Sequence, residues 1–183
     1  MIYQLPLQWT GLFAGLLLLA GHSLALGWQT PVQVWAKTFP RSRVAASVLI
    51  AMAAVWSFLL VRSIDLGEFS GLRMIMLIGI LAGAVLSWIY VPEFLAVRAL
   101  GMLLLLAAEP LLESAVLRTE PTRLLLVILA YGWVVAGLFF VGMPYLLRDA
   151  IDWVTARPRI WKAACGAGIV WGLALLGCAI FFW

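Results

Sequence analysis

LLLVILAYGWVVAGLFFVGMPYLL, residues Leu124 to Leu147, runs for twenty-four positions without one charged side chain. An apolar stretch of about 18 residues or more matches the hydrocarbon thickness of a bilayer, so this segment reads as a membrane-crossing helix. Five further runs of near-spanning length surround it: Leu7 to Trp28, Val44 to Val61, Met74 to Tyr90, Phe94 to Leu117 and Ala163 to Trp183. The expected fold is therefore an all-α integral membrane protein, a bundle of six transmembrane helices, with five as the alternative count. Residues 1–183 form a single transmembrane domain in this reading.

Composition points the same way. Of the 183 residues 66% are hydrophobic and 11% charged, with a mean hydropathy of +1.11. A water-soluble domain needs roughly a quarter of its residues charged to cover its surface. The first run has no Lys or Arg before Lys37 and is too long for a secretory signal, so it is expected to stay attached as a helix. The connection Val91-Pro92-Glu93 is very short, and a proline at a helix start followed by an acid in the first turn predicts a tight hairpin between the third and fourth spans.

The net charge of +4 is explained by membrane topology rather than by a polyanionic partner. Lys37, Arg41 and Arg43 follow the first span, and Arg148, Arg157, Arg159 and Lys162 follow the fifth. With Arg98 they gather at one face, against Arg62, Arg73, Arg118 and Arg123 at the other. Basic residues accumulate in cytoplasmic loops, so the expected orientation places both termini outside, in a bacterial inner membrane. The stretches Thr30 to Arg43 and Asp149 to Lys162 mix apolar and basic residues as interfacial segments do. Trp28, Trp35, Trp88, Trp153, Trp161 and Trp183 fall near span ends, as an aromatic belt requires. No water-facing segment carries the interleaved cations and aromatics of a nucleic-acid surface, so no nucleic-acid partner is expected.

A weak internal repeat runs through the chain. Leu16 to Ala20 recurs as Leu103 to Ala107, and Leu59-Leu60 and Ile64-Asp65 recur at the same offset as Leu146-Leu147 and Ile151-Asp152. With a small shift, Arg73 aligns with Lys162 and Gly79 to Gly83 with Gly168 to Gly172; a gap is required near Pro40 and Pro121. Units of residues 1–91 and 92–183, each with three spans, would form a 3+3 inverted repeat, the plan of many secondary transporters.

Few residues are placed to do chemistry. An ionisable group in hydrocarbon costs about 2.5 to 3.5 kcal/mol at a helix centre on insertion scales, so Glu109 is the leading candidate for an ion or proton pathway. Arg98, Glu109 and Glu113 fall within about 60° of one another around the fourth span, and Pro110 removes the backbone donor that would otherwise reach a carbonyl one turn earlier. Arg98 is expected either to reach the headgroups or to pair with Glu93. His22, the sole histidine, aligns with Glu109 in the repeat; it is also the one residue able to hold a haem or chlorophyll, although no second histidine is present for a bis-histidine site. No other cofactor is indicated. Cys165 and Cys178 lie on different faces of one helix and are expected to remain small, unbonded apolar residues.

Gly11 with Gly15, Gly79 with Gly83, and Gly168 with Gly172 form small-x-x-x-small pairs that let helices approach closely. Serine-protease and metalloprotease motifs are lacking, and the loops offer little room for a lipid-modifying site. The expected function is an accessory or assembly subunit without enzymatic activity, contacting lipids and either membrane protein partners or a second copy. A small proton-coupled transporter or channel using Glu109 is the alternative.

Overall fold

All six apolar runs become helices, and two shorter helices appear between them. The computed structural model describes residue 3 and residues 5–183. In chain order the helices are α1 Leu7–Gly27, α2 Gln29–Thr38, α3 Arg43–Ser63, α4 Arg73–Tyr90, α5 Leu95–Ala115, α6 Leu124–Gly142, α7 Tyr145–Thr155 and α8 Pro158–Phe181. Six are long and apolar enough to cross a membrane: α1, α3, α4, α5, α6 and α8. The chain is a polytopic, all-helical membrane protein, and among the described residues no strand occurs.

Local chemistry sets the helix ends. Ser42 caps α3, its hydroxyl accepting from the Ala45 amide at 3.2 Å. Pro158 opens α8 at a position where the missing amide is not needed. The fifth span stops at Gly142, five residues short of the sequence expectation, because Pro144 removes an amide donor and Tyr145 begins a separate helix. That helix, α7, is amphipathic rather than spanning. The α4–α5 hairpin also departs from expectation. Pro92 and Glu93 lie in the turn outside the helix, and Phe94 precedes Leu95 in a left-handed conformation, φ 55°.

Four arginines cap the carboxyl ends of helices, where carbonyls lack amide partners and negative dipole charge collects. Arg73 donates to the carbonyls of Arg62 and Ile64 at the end of α3, at 3.1 and 2.9 Å. Arg98 donates to Val141 of α6 at 2.9 Å, Arg123 to Ala115 of α5 at 2.9 Å, and Arg157 to Trp153 of α7 at 3.3 Å. Tryptophans tie neighbouring segments together as well as marking span ends: Trp88 donates to Ser47, Trp161 to the Ala25 carbonyl, and Trp183 to Thr122.

The spans form two tight pairs, α1 with α8 and α5 with α6, with α3 against α5 and α4 against α3. At the α1–α8 crossing, a Cβ on Gly15 would lie 3.0 Å from the Gly172 carbonyl oxygen, and one on Gly172 would lie 2.9 Å from that of Gly15. The backbones touch there, as small residues permit. Gly11 makes room for the Trp183 ring and Gly168 for the His22 imidazole. The α5–α6 crossing is built the same way from Gly101 and Gly137, where each added Cβ would sit 2.8 Å from the other's carbonyl oxygen. Helix α5 contributes to both apolar clusters. One contains Leu7, Leu111, Leu126 and Leu175, and the other contains Ile50, Leu95, Val97 and Phe39.

These contacts lend the 3+3 repeat no support. Exchanging the two halves would turn the α1–α8 pair into an α5–α4 pair, whereas α4 packs chiefly on α3 and makes no comparable contact with α5.

Candidate functional site

The four polar residues singled out in the spans are not gathered into one site. Arg98 stands one turn from the start of α5 and Glu113 one turn from its end, so about 22 Å of helix separates them. Arg98 is committed to the end of α6 through Val141 and forms no ion pair with Glu93. Its Nε is buried without a hydrogen-bond partner among the described residues. Replacing Arg98 with Met should cost about 1.5 to 3 kcal/mol, the range for a charge-assisted hydrogen bond. Thermal unfolding of the purified protein would measure this, and an unchanged midpoint would show that the contact contributes nothing.

Glu113 accepts from the Tyr3 amide, at 3.1 and 3.3 Å to its two oxygens, and Tyr3 in turn accepts from Trp56 Nε1 at 2.7 Å. The Glu113 carboxylate thus ties Tyr3 to the last turn of α5, and the Tyr3 hydroxyl ties it to Trp56 of α3. Glu109 is half-buried and has no hydrogen-bond partner among the described residues. Helix α5 continues through Pro110 to Ala115.

His22 Nδ1 lies 2.8 Å from the Leu18 carbonyl, so a proton on Nδ1 makes an internal helix contact. The ring lies over Gly168, close enough that a Cβ there would overlap Cδ2 and Nε2. His22 packs at the α1–α8 crossing. Among the described residues, no group of three or more potential ligands is arranged to hold a metal ion. Cys165 and Cys178 are free thiols.

Two surface features remain. Helices α1 and α3 both pack on α5 but scarcely on each other, which leaves a lateral crevice of about 560 Å³ lined by Trp9, Phe13, Met52, Trp56, Leu104 and Trp133 among others. Its lining is almost wholly apolar and includes no charged side chain. Such a space suits acyl chains or apolar side chains.

The second feature is α4. Its half-buried positions Leu77, Ile80, Ala84 and Ser87 follow helical spacing and face α3. No residue of α4 is fully buried. Gly79 and Gly83 lie about 100° around the helix from that stripe, and a Cβ at either would meet nothing within 4 Å. They differ in this from Gly15, Gly168 and Gly172, which receive a facing helix, and from Gly11, which receives the Trp183 ring. The sequence reading missed Gly101 and Gly137 because neither has a small residue four positions away. No known family model, curated protein or solved structure matches the chain.

Proposed function

We propose that this protein is an accessory or assembly subunit of a membrane complex, without enzymatic activity of its own. One observation carries the reading: of the three Gly-x-x-x-Gly pairs in the spanning helices, Gly11/Gly15 and Gly168/Gly172 are filled where α1 meets α8, and Gly79/Gly83 of α4 is left open. A spanning helix from another polypeptide, presenting small residues of its own, would approach that face as α8 approaches α1. Around the Gly79 face, Ile75, Leu86 and Tyr90 are exposed and supply apolar contact on either side. In this reading the end bearing α2, α7 and the 91–94 turn faces the cytoplasm of a bacterial cell, with both termini outside. Purification of the tagged protein in mild detergent, followed by identification of stoichiometric companions, tests it.

A small proton-coupled transporter or channel is the second reading, favoured by Glu109, a half-buried carboxyl in a spanning helix with no partner among the described residues. In that case Glu109→Gln should abolish proton flux in reconstituted vesicles, a loss of about tenfold or more, while melting behaviour stays unchanged. A subunit whose role is structural should tolerate the same change.

A further inference from the structure

One end of the bundle holds Arg41, Arg43, Arg98, Arg148, Arg157, Arg159, Lys37 and Lys162, against the carboxylates Glu93, Asp149 and Asp152. Five of the ten arginines are engaged through hydrogen bonds or an ion pair: Arg73, Arg98, Arg123 and Arg157 by helix-end carbonyls, and Arg148 by Asp149. Arg41 and Arg43 have neither a carboxylate partner nor a side-chain hydrogen bond among the described residues. They stand together at the start of α3, where backbone amides and the helix dipole add positive potential.

Phe94 organises this corner. The guanidinium carbons of Arg41 and Arg148 each lie 5.8 Å from the centre of its ring. Two guanidinium groups thus share one aromatic ring, which holds Arg41 at the mouth of the cleft. Phe94 holds φ 55°, a left-handed conformation that costs a bulky residue about 1 to 2 kcal/mol. Strain of this sort at a charged cleft is characteristic of binding positions.

The cleft has a polar mouth and an apolar floor. The mouth, about 400 Å³, is lined by Arg41, Arg43, Pro92, Glu93 and Phe94. It shares Arg43 and Pro92 with a slot of about 230 Å³ between α3, α4 and α5, where Ala46, Trp88, Ile89 and Leu95 complete the walls. An amphiphile fits this order of surfaces, its anion at the arginines and a hydrocarbon chain entering the slot.

We propose that this cleft binds one anionic glycerophospholipid of the surrounding leaflet. The phosphate accepts hydrogen bonds from Arg41 and Arg43, whose planar forks suit phosphate oxygens. One acyl chain lies along Trp88, Ile89 and Leu95. Arg148 is paired with Asp149 and packs on Phe94, so the anion is left to Arg41 and Arg43. Glu93 is the one carboxylate at the rim, and it makes no ion pair with Arg41 or Arg43. The position matches a general pattern in which basic pockets between spanning helices at one membrane face hold anionic headgroups.

The test uses the delipidated full chain, titrated with phosphatidylglycerol, phosphatidylcholine or inorganic phosphate and read by native mass spectrometry and thermal midpoint. Phosphatidylglycerol should bind about tenfold more tightly than phosphatidylcholine. The double substitution Arg41→Gln with Arg43→Gln should remove that preference, whereas Arg62→Gln with Arg118→Gln, at the opposite end, should keep it. Equal binding of the two lipids overturns the proposal, as does a preference that survives the first pair or vanishes with the second. A midpoint rise with inorganic phosphate as large as with phosphatidylglycerol overturns the lipid as the ligand. If the Arg41/Arg43 variant fails to fold, salt titration of the unaltered protein decides: the preference should shrink as ionic strength rises, and a salt-independent preference contradicts the proposal.

Discussion

Gly172→Leu is expected to prevent the α1–α8 pair from forming. The Cβ alone would fall 2.9 Å from the Gly15 carbonyl oxygen and 2.9 Å from the Leu19 amide nitrogen. Both are backbone atoms inside a helix and cannot move aside, so the helices would have to part along their whole contact. Dispersion contacts and close Cα–H···O approaches would be lost together, because both fall off steeply with distance. The cost should reach about 3 kcal/mol or more, at the upper end for overpacking. That corresponds to a fall in melting midpoint on the order of 10 °C for a chain of this size. Gly15→Leu meets the Leu176 side chain at 2.8 Å and the Gly172 carbonyl at 3.0 Å and should behave alike. Gly166→Leu is the matched control, since nothing lies within 4 Å of its Cβ position. Monodispersity on size exclusion and the thermal midpoint of the three variants give the comparison. A Gly172→Leu protein as stable as the Gly166→Leu protein would mean that the backbones do not touch at this crossing.

Gly79→Leu should have the opposite signature. Nothing among the described residues lies within 4 Å of the added Cβ, so the monomer should fold and melt as before, within about 0.5 kcal/mol. A leucine there would stand up from the face on which a partner helix is proposed to lie. Two helices held in backbone contact cannot accommodate it without separating. Loss of a central packing position in an interface commonly costs about 2 to 4 kcal/mol, which is about thirtyfold to several hundredfold in affinity. Companions recovered with the unaltered protein should therefore be absent or strongly depleted from the Gly79→Leu preparation, at equal yield of the protein itself. Retention of the companions in full would place the interface elsewhere on the perimeter.

The six spans were legible because hydrocarbon thickness imposes a length and a composition on every crossing helix, and these are properties of single stretches of chain. The boundary between α6 and α7 was missed because Met143-Pro144 interrupts an otherwise continuous apolar run, and hydropathy does not register the backbone break that Pro144 causes. Which glycines touch another helix depends on how helices cross. The spacing rule found Gly15 and Gly172 but passed over Gly101 and Gly137, and it gave no sign that Gly79 and Gly83 lack a partner within the chain. Arg98 was read against its sequence neighbour Glu93. Its actual acceptor, the Val141 carbonyl, lies 43 positions away and is created only by the end of α6. The pairing of Arg41 and Arg148 around Phe94 likewise requires three connecting segments to meet.

Native mass spectrometry of the protein, extracted gently from its own membrane, tests the proposed role most directly because mass reports both companions and stoichiometry. A reproducible assembly with at least one other polypeptide, released by Gly79→Leu, is the predicted result. A bare monomer or a homodimer, in both the unaltered protein and the variant, would contradict the assignment as an accessory subunit.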